Sequence, residues 1–171
     1  MQIRPLTAAD ARIFQAIRLR GLGECPMAFS SSFEEECDQP LEYVANRLAS
    51  NFYGAVFGAF VGDALAGIAG VYRETECKLA HKATIWTVYV APPLRRQGIA
   101  RQLLHTVLRH SFETMSVRQV NLGVNAANTG AKALYESLGF ETFGVERAFM
   151  IVDGVPQDEV MMVLYRSRND G

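Results

Sequence analysis

The chain has 171 residues, 49% of apolar type and 20% charged, which fits one soluble domain able to bury a core without disulfide or metal staples. Lysine and arginine total 17 against 18 acidic residues, a formal charge of -1, and this excludes a protein whose main task is to coat nucleic acid or an anionic membrane, because neutralising phosphates takes a basic surplus. Cys25, Cys37 and Cys77 are odd in number, lack Cys-x-x-Cys or zinc spacing, and read as free thiols of a reducing compartment.

The first residues, Met1 to Pro5, carry no charged stretch followed by an apolar run, so no signal peptide is expected and the expected location is the cytoplasm. A short strand over Gln2–Arg4 precedes Thr7 and Asp10, spaced as a capping box with Asp in the Glu position. Ile13, Phe14 and Ile17 then give a helix its buried stripe. From Gly21 to Pro40 the pattern is irregular, with room for a short helix, and a further helix is expected over about 40–50.

Residues 52–72 contain a single charge, Asp63, and glycines at 54, 58 and 62, a length and spacing that would suit a bilayer-spanning helix. A strand pair is the better reading. Gly62-Asp63 is turn chemistry near the middle, five glycines would weaken a helix, and the halves Tyr53–Val61 and Ala64–Tyr72 are rich in Val, Phe, Ile and Tyr. A buried Asp would also cost ~2.5–3.5 kcal/mol in lipid.

An apolar strand over Thr84–Val90 is stopped by Pro92-Pro93. A helix starts near Gly98 with Ile99, Leu103, Leu104, Val107 and Leu108 on one face, and Val117–Val124 reads as a strand. Asn128 or Thr129 caps a helix whose inward face is Ala131, Leu134, Tyr135 and Leu138, with Gly139 as its left-handed stop. Two strands, about Glu141–Ile151 and Glu159–Arg166, are joined across Asp153-Gly154. The fold class expected is α/β, with one mixed central sheet and helices on both faces, in a single domain over 1–171.

The chemistry concentrates in Val88-Tyr89-Val90-Ala91-Pro92-Pro93-Leu94-Arg95-Arg96-Gln97-Gly98-Ile99-Ala100, a strand, a tight loop and a helix start. Unpaired N–H groups and the positive dipole end of a helix can hold a phosphate, Gly98 admits close backbone approach, and Ala100 keeps the first turn clear. Arg95, Arg96 and Arg101 oppose the helix dipole unless an anion lies between them. Neither Gly-x-Gly-x-x-Gly nor the Gly-x-x-x-x-Gly-Lys-Ser/Thr pattern is present.

This segment resembles motif A of the GNAT superfamily of N-acetyltransferases, Gln/Arg-x-x-Gly-x-Gly/Ala, filled here by Arg95, Gly98 and Ala100. The strand ending in Val88–Pro92 and the block Asn128, Ala131, Leu134-Tyr135, Leu138-Gly139-Phe140 extend the resemblance, and Arg96 stands where many members carry glycine. The resemblance implies a GNAT fold and acetyl transfer from acetyl-CoA, as co-substrate and without a metal, to a primary amine by direct attack. It implies that backbone groups of Val88 and Val90 pair with the pantetheine, with the Val90 N–H polarising the thioester carbonyl, and that the loop Arg95, Arg96, Gln97, Gly98, Ile99, Ala100, with Arg101, holds the pyrophosphate. Asn128 would reach the pantetheine, and Tyr135 would bind cofactor and assist the departing thiolate. Read without the family, Asn128 is an N-cap and Tyr135 a core aromatic.

No general base is assigned from sequence. The strand Ile85–Val90 has no carboxylate, Glu34–Glu36 read as a solvated run, and His105 and His110 fall in a surface-helix pattern, as His81 stands without a marked partner. Cys77 as a nucleophile lacks an activating neighbour. The partners expected are acetyl-CoA and an amine acceptor, with no nucleic acid, no membrane and a homodimer left open. The competing readings are a catalytically silent CoA-binding regulatory module of the same fold and a membrane-anchored protein using residues 52–72.

Overall fold

In the computed structural model the described residues are 1–49 and 51–166. Seven strands, β1 (Gln2–Pro5), β2 (Gly54–Val61), β3 (Ala64–Arg73), β4 (Lys82–Val90), β5 (Gln119–Asn125), β6 (Glu141–Val152) and β7 (Val155–Tyr165), form one sheet in the order β1-β2-β3-β4-β5-β7-β6. Every neighbouring pair is antiparallel except β4 and β5. The helices are α1 (Ala11–Glu24), α2 (Phe33–Glu36), α3 (Leu41–Arg47), α4 (Ile99–Arg109) and α5 (Thr129–Glu136). The expected helix end at Ser50 lies outside the described residues.

The apolar run 52–72 is the β2–β3 hairpin, turning at Gly62 with φ +59°, and residues 55–60 and 66–71 are all buried, as strands covered on both faces require. Among the described residues no helix is long and apolar enough to cross a membrane.

The sheet separates two cores. On one face Ile99, Leu103, Leu104 and Val107 of α4 pack against Ile85, Leu122, Val124 and Met162, and Tyr135 of α5 joins them. On the other, Phe14, Ile17 and Leu22 of α1, with Val44 and Leu48, cover Val56, Ile68 and Tyr89. Each such side chain contributes about 1.5–3 kcal/mol by leaving water.

Several expectations are corrected. Ile13 is 41% exposed, because the buried stripe of α1 runs through Phe14, Ile17, Arg18, Gly21 and Leu22 and leaves Ile13 off its edge. His110 is not on a surface helix: α4 continues into a wider π turn, His110–Thr114, which brings the imidazole against the Phe57 ring at 5.2 Å. Its Nε2 is buried with no hydrogen-bond partner among the described residues. Glu36 is buried rather than solvated, although Glu34 and Glu35 are exposed. β7 starts at Val155, not Glu159, because its first residues pair with β6 alone, an edge position where Pro156 is tolerated.

Candidate active site

β4 and β5 pair only over Lys82–Thr84 with Gln119–Asn121, and then diverge. The cause is a bulge. Gly70 pairs with Trp86 and Ile68 with Tyr89, so Thr87 and Val88 together face the single residue Ala69. Gly70 is required there, since a Cβ would run into the Trp86 indole. Thr87 sits at φ 54°, a conformation costing a β-branched residue about 1–3 kcal/mol.

A buried network holds that conformation. The Arg18 guanidinium donates to Thr87 Oγ1 at 3.0 Å, to both Glu36 oxygens at 2.8 and 3.1 Å, and to Ser31 Oγ at 2.7 Å. Ser31 Oγ and Arg47 Nη1 also donate to Glu36, at 2.6 and 3.3 Å. Burial pushes the Glu36 carboxyl up, but the hydrogen bonds from Arg18 and Ser31 and the charges of Arg18 and Arg47 outweigh it and hold it at about 2.

The divergence opens a cavity of about 920 Å³. It runs between β4 and β5, from the start of α4 to the β6–β7 hairpin. Ala91 N–H donates back to Ala66 O on β3 at 2.9 Å, so by strand alternation the Val90 N–H points away from β3 into the gap. Val88, Val90, Arg95, Arg96, Gly98, Ile99, Ala100, Arg101, Asn128 and Tyr135 all line this cavity. Gln97 does not; its amide folds back to donate to Pro93 O at 3.4 Å.

At the helix end, Arg96 (φ 62°) and Gly98 (φ 79°) both adopt left-handed conformations, so the loop turns twice before α4 starts. Among the described residues the N–H groups of Arg96, Gln97 and Gly98 donate to no backbone carbonyl, and those of Ile99 to Arg101 are the first-turn donors an α-helix leaves unpaired. Arg95 Nε donates to Val90 O at 2.8 Å and Arg101 Nη2 to Ser137 Oγ at 2.8 Å, which fixes both arginines to the scaffold. Among the described residues no hydrogen bond or ion pair engages Arg96. Asn128 caps α5 by accepting from Ala131 N–H at 3.1 Å. Tyr135 packs edge-on to Phe140 at 6.0 Å, its hydroxyl makes no hydrogen bond among the described residues, and burial pushes its pKa up to about 12.

Residues 22–140 match the model of the Acetyltransferase (GNAT) family. The chain belongs to this family. The [Ribosomal protein bS18]-alanine N-acetyltransferase of Escherichia coli (strain K12) is 35% identical over 83 residues, 48% of this chain and 55% of that protein. The N-alpha-acetyltransferase RimI of Mycobacterium tuberculosis is 33% identical over 109 residues, 64% of this chain and 66% of that protein. The chain thus spans about half the length of the first of these curated relatives. The structure of yncA from Salmonella typhimurium with its cofactor acetyl-CoA shares the fold, with a TM-score of 0.81 at 17% identity over 100% of this chain and 96% of that one.

Within the GNAT fold, the sequence reading missed Arg18, Glu36 and Thr87, and also Glu159, which lies in the cavity on β7. Arg18 carried one faint signal, a cation on the buried face of a helix, and Glu36 was hidden in the acidic run 34–36, with nothing local to pair either. Thr87 sits inside an apolar run that reads as an unbroken strand.

Proposed function

We propose that the chain, as one domain over 1–171, transfers an acetyl group from acetyl-CoA to a primary amine by direct attack, in the cytoplasm. The observation that carries this reading is the split between β4 and β5, with the Val90 N–H aimed into it and a loop of unpaired N–H groups at one end. These features fit acetyl-CoA. The amides of Arg96 to Arg101 suit a pyrophosphate, Arg96 adds positive charge, and strand-edge groups of Val88 and Val90, left without a partner strand, suit an amide-bearing arm. When bound, acetyl-CoA supplies an acyl group activated as a thioester.

The residues then have separate tasks. The Val90 N–H donates to the carbonyl oxygen as charge builds there, a contribution of ~2.7–4 kcal/mol for such a donor. Tyr135 keeps its proton, since burial pushes its pKa to about 12, and its O–H donates a hydrogen bond that strengthens as charge develops on the leaving sulfur. Asn128 holds the start of α5 and so the position of Tyr135 about two turns on. The names of the relatives make an alanine α-amine of a protein the first acceptor to test.

The test is thiol release from acetyl-CoA against a panel of amines that includes peptides beginning with alanine, with thermal shift by acetyl-CoA measured in parallel. Amine-dependent release supports transfer. A thermal shift by acetyl-CoA with no release on any amine supports the silent binding module instead.

A further inference from the structure

The two faces of the split are chemically unequal. Leu122, Val124, Val160 and Met162 point into the core that holds Tyr135. By strand alternation, Gly123 and Asn125 of β5 and Glu159 and Met161 of β7 point to the opposite face, where residues 26–28 approach β5. Glu159 pairs directly with Asn125 and reaches diagonally across to Gly123. A Cβ on Gly123 would fall on the Glu159 carboxyl group, so the bare backbone of that glycine is what gives the carboxylate its place. Glu159 is about half-buried and takes part in no ion pair among the described residues, and it lines the same cavity as Tyr135.

We propose that Glu159 is the base that takes the proton from the acceptor amine. This rests on the acetyltransferase reading and adds to it the side from which the acceptor enters. An amine arrives as an ammonium, whose ordinary pKa is ~7.7–8.0 for an α-amine, and cannot attack until one proton leaves. Glu159 accepts that proton. The nitrogen lone pair then forms the C–N bond at the carbonyl carbon, the C–S bond breaks, and its electron pair leaves with sulfur. The second nitrogen proton passes to the thiolate, and Glu159 returns its own proton to solvent. Tyr135 therefore serves the leaving group from one face while Glu159 serves the nucleophile from the other.

The surroundings suit a base. Burial pushes the Glu159 carboxyl above the ordinary range, and the charge of Glu146, its neighbour in register on β6, pushes the same way. β5 presents only the uncharged Gly123 and Asn125, and residues 26–28 bring no titratable side chain. Met161, the bulged β6 residue Phe149 and its neighbour Met150 wall the cavity nearby with apolar surface. No other carboxylate lines this cavity among the described residues.

The test is Glu159→Gln with an amine that supports thiol release, read as kcat/KM for the acceptor from pH 6 to 10. The expected result is a loss of about 10²-fold at pH 7, the lower end for a general base, that narrows above the amine pKa, where solvent does the deprotonation. The acetyl-CoA thermal shift should stay as in wild type. Gly123→Ala is the second variant: it meets only the end of a flexible side chain, so the fold survives while the carboxylate is displaced, and kcat/KM should fall in the same pH-dependent way. Parallel pH profiles with loss below threefold in both variants would overturn Glu159 alone. A wild type that releases no thiol on any amine would overturn the acetyltransferase reading, and this assignment with it.

Discussion

On the α4 and α5 side of the split, the groups that face the cavity are mostly backbone N–H donors, supplied by a contiguous loop and two helix starts. On the α1 and α2 side they are side chains, Arg18, Thr87 and Glu159, with Ser31 and Glu36 holding Arg18 from behind, and these residues are joined only by the fold. The difference sets how each side can fail. A backbone site tolerates side-chain change but not a change of φ, whereas a site of buried side chains fails when one polar partner is removed. The two sides meet at Thr87, whose left-handed φ opens the split and whose hydroxyl accepts from Arg18.

The largest expected effect is on the side-chain side. Glu36→Gln removes the charge that neutralises Arg18 in a buried site, and loss of one partner of such a pair costs about 3–5 kcal/mol. Urea unfolding should show that loss, with the exposed Glu34→Gln within about 0.5 kcal/mol of wild type. The pH dependence has a definite sign. The native carboxyl is held at about 2, below its ordinary 4.5, so its contribution is complete above 4.5 and is lost as pH falls toward 2. Glu36→Gln should flatten that acid limb. An unchanged limb would mean that Glu36 is not the group that titrates.

Next come two changes on the backbone side. Tyr135→Phe removes a hydroxyl that bonds to nothing among the described residues and keeps the ring against Phe140, so the melting temperature should hardly move. The loss should appear in kcat, at about 10²-fold, with acetyl-CoA affinity unchanged. Turnover within twofold of wild type, with chemistry limiting, would reduce Tyr135 to a packing residue. Gly98→Val sharpens the contrast further. Its side chain would find open space, with only Gln102 Nε2 in reach at 3.9 Å, so strain at φ 79° and not a clash is the lesion. Acetyl-CoA binding should weaken about tenfold while the fold persists, read by thermal shift at graded acetyl-CoA. Equal shifts for wild type and variant would remove this loop as the anion site.

The same division explains what could be read from sequence. Arg95, Gly98, Ala100, Asn128 and Tyr135 lie in the two short segments that carry the family resemblance, and it was that resemblance, not spacing alone, that implied one site for residues the structure brings to one cavity. The hairpin over 52–72 was legible too, since Gly62 marks its turn. The network of Arg18 with Glu36 and Thr87 joins residues 18 and 69 positions apart, and no local pattern reports such a pairing. Glu159 was hidden for a related reason: its place depends on the absence of a side chain at Gly123, on another strand. The bulge in β4 was likewise invisible, because Thr84 to Val90 reads as continuous apolar strand whether or not one residue is extra.

The smallest expected effect tests where the two kinds of construction mix, at Arg96. This residue is a side-chain cation in a backbone site, and it holds a left-handed φ of 62°. For a non-glycine residue that conformation costs about 1–2 kcal/mol. Arg96→Gly removes the strain but gives the unfolded chain more freedom, which offsets about 0.4–1 kcal/mol, so the net gain in stability should lie between about 0 and 1.6 kcal/mol. Against this, the variant loses an exposed cation whose attraction to a phosphate is screened by salt. Acetyl-CoA affinity should therefore fall by less than threefold at physiological ionic strength and by more at low salt. Measuring melting temperature and Kd at two salt concentrations separates the terms. A loss above tenfold that does not change with salt would make Arg96 a specific ligand held in place by its strain, and the backbone side would then rest on a side chain after all.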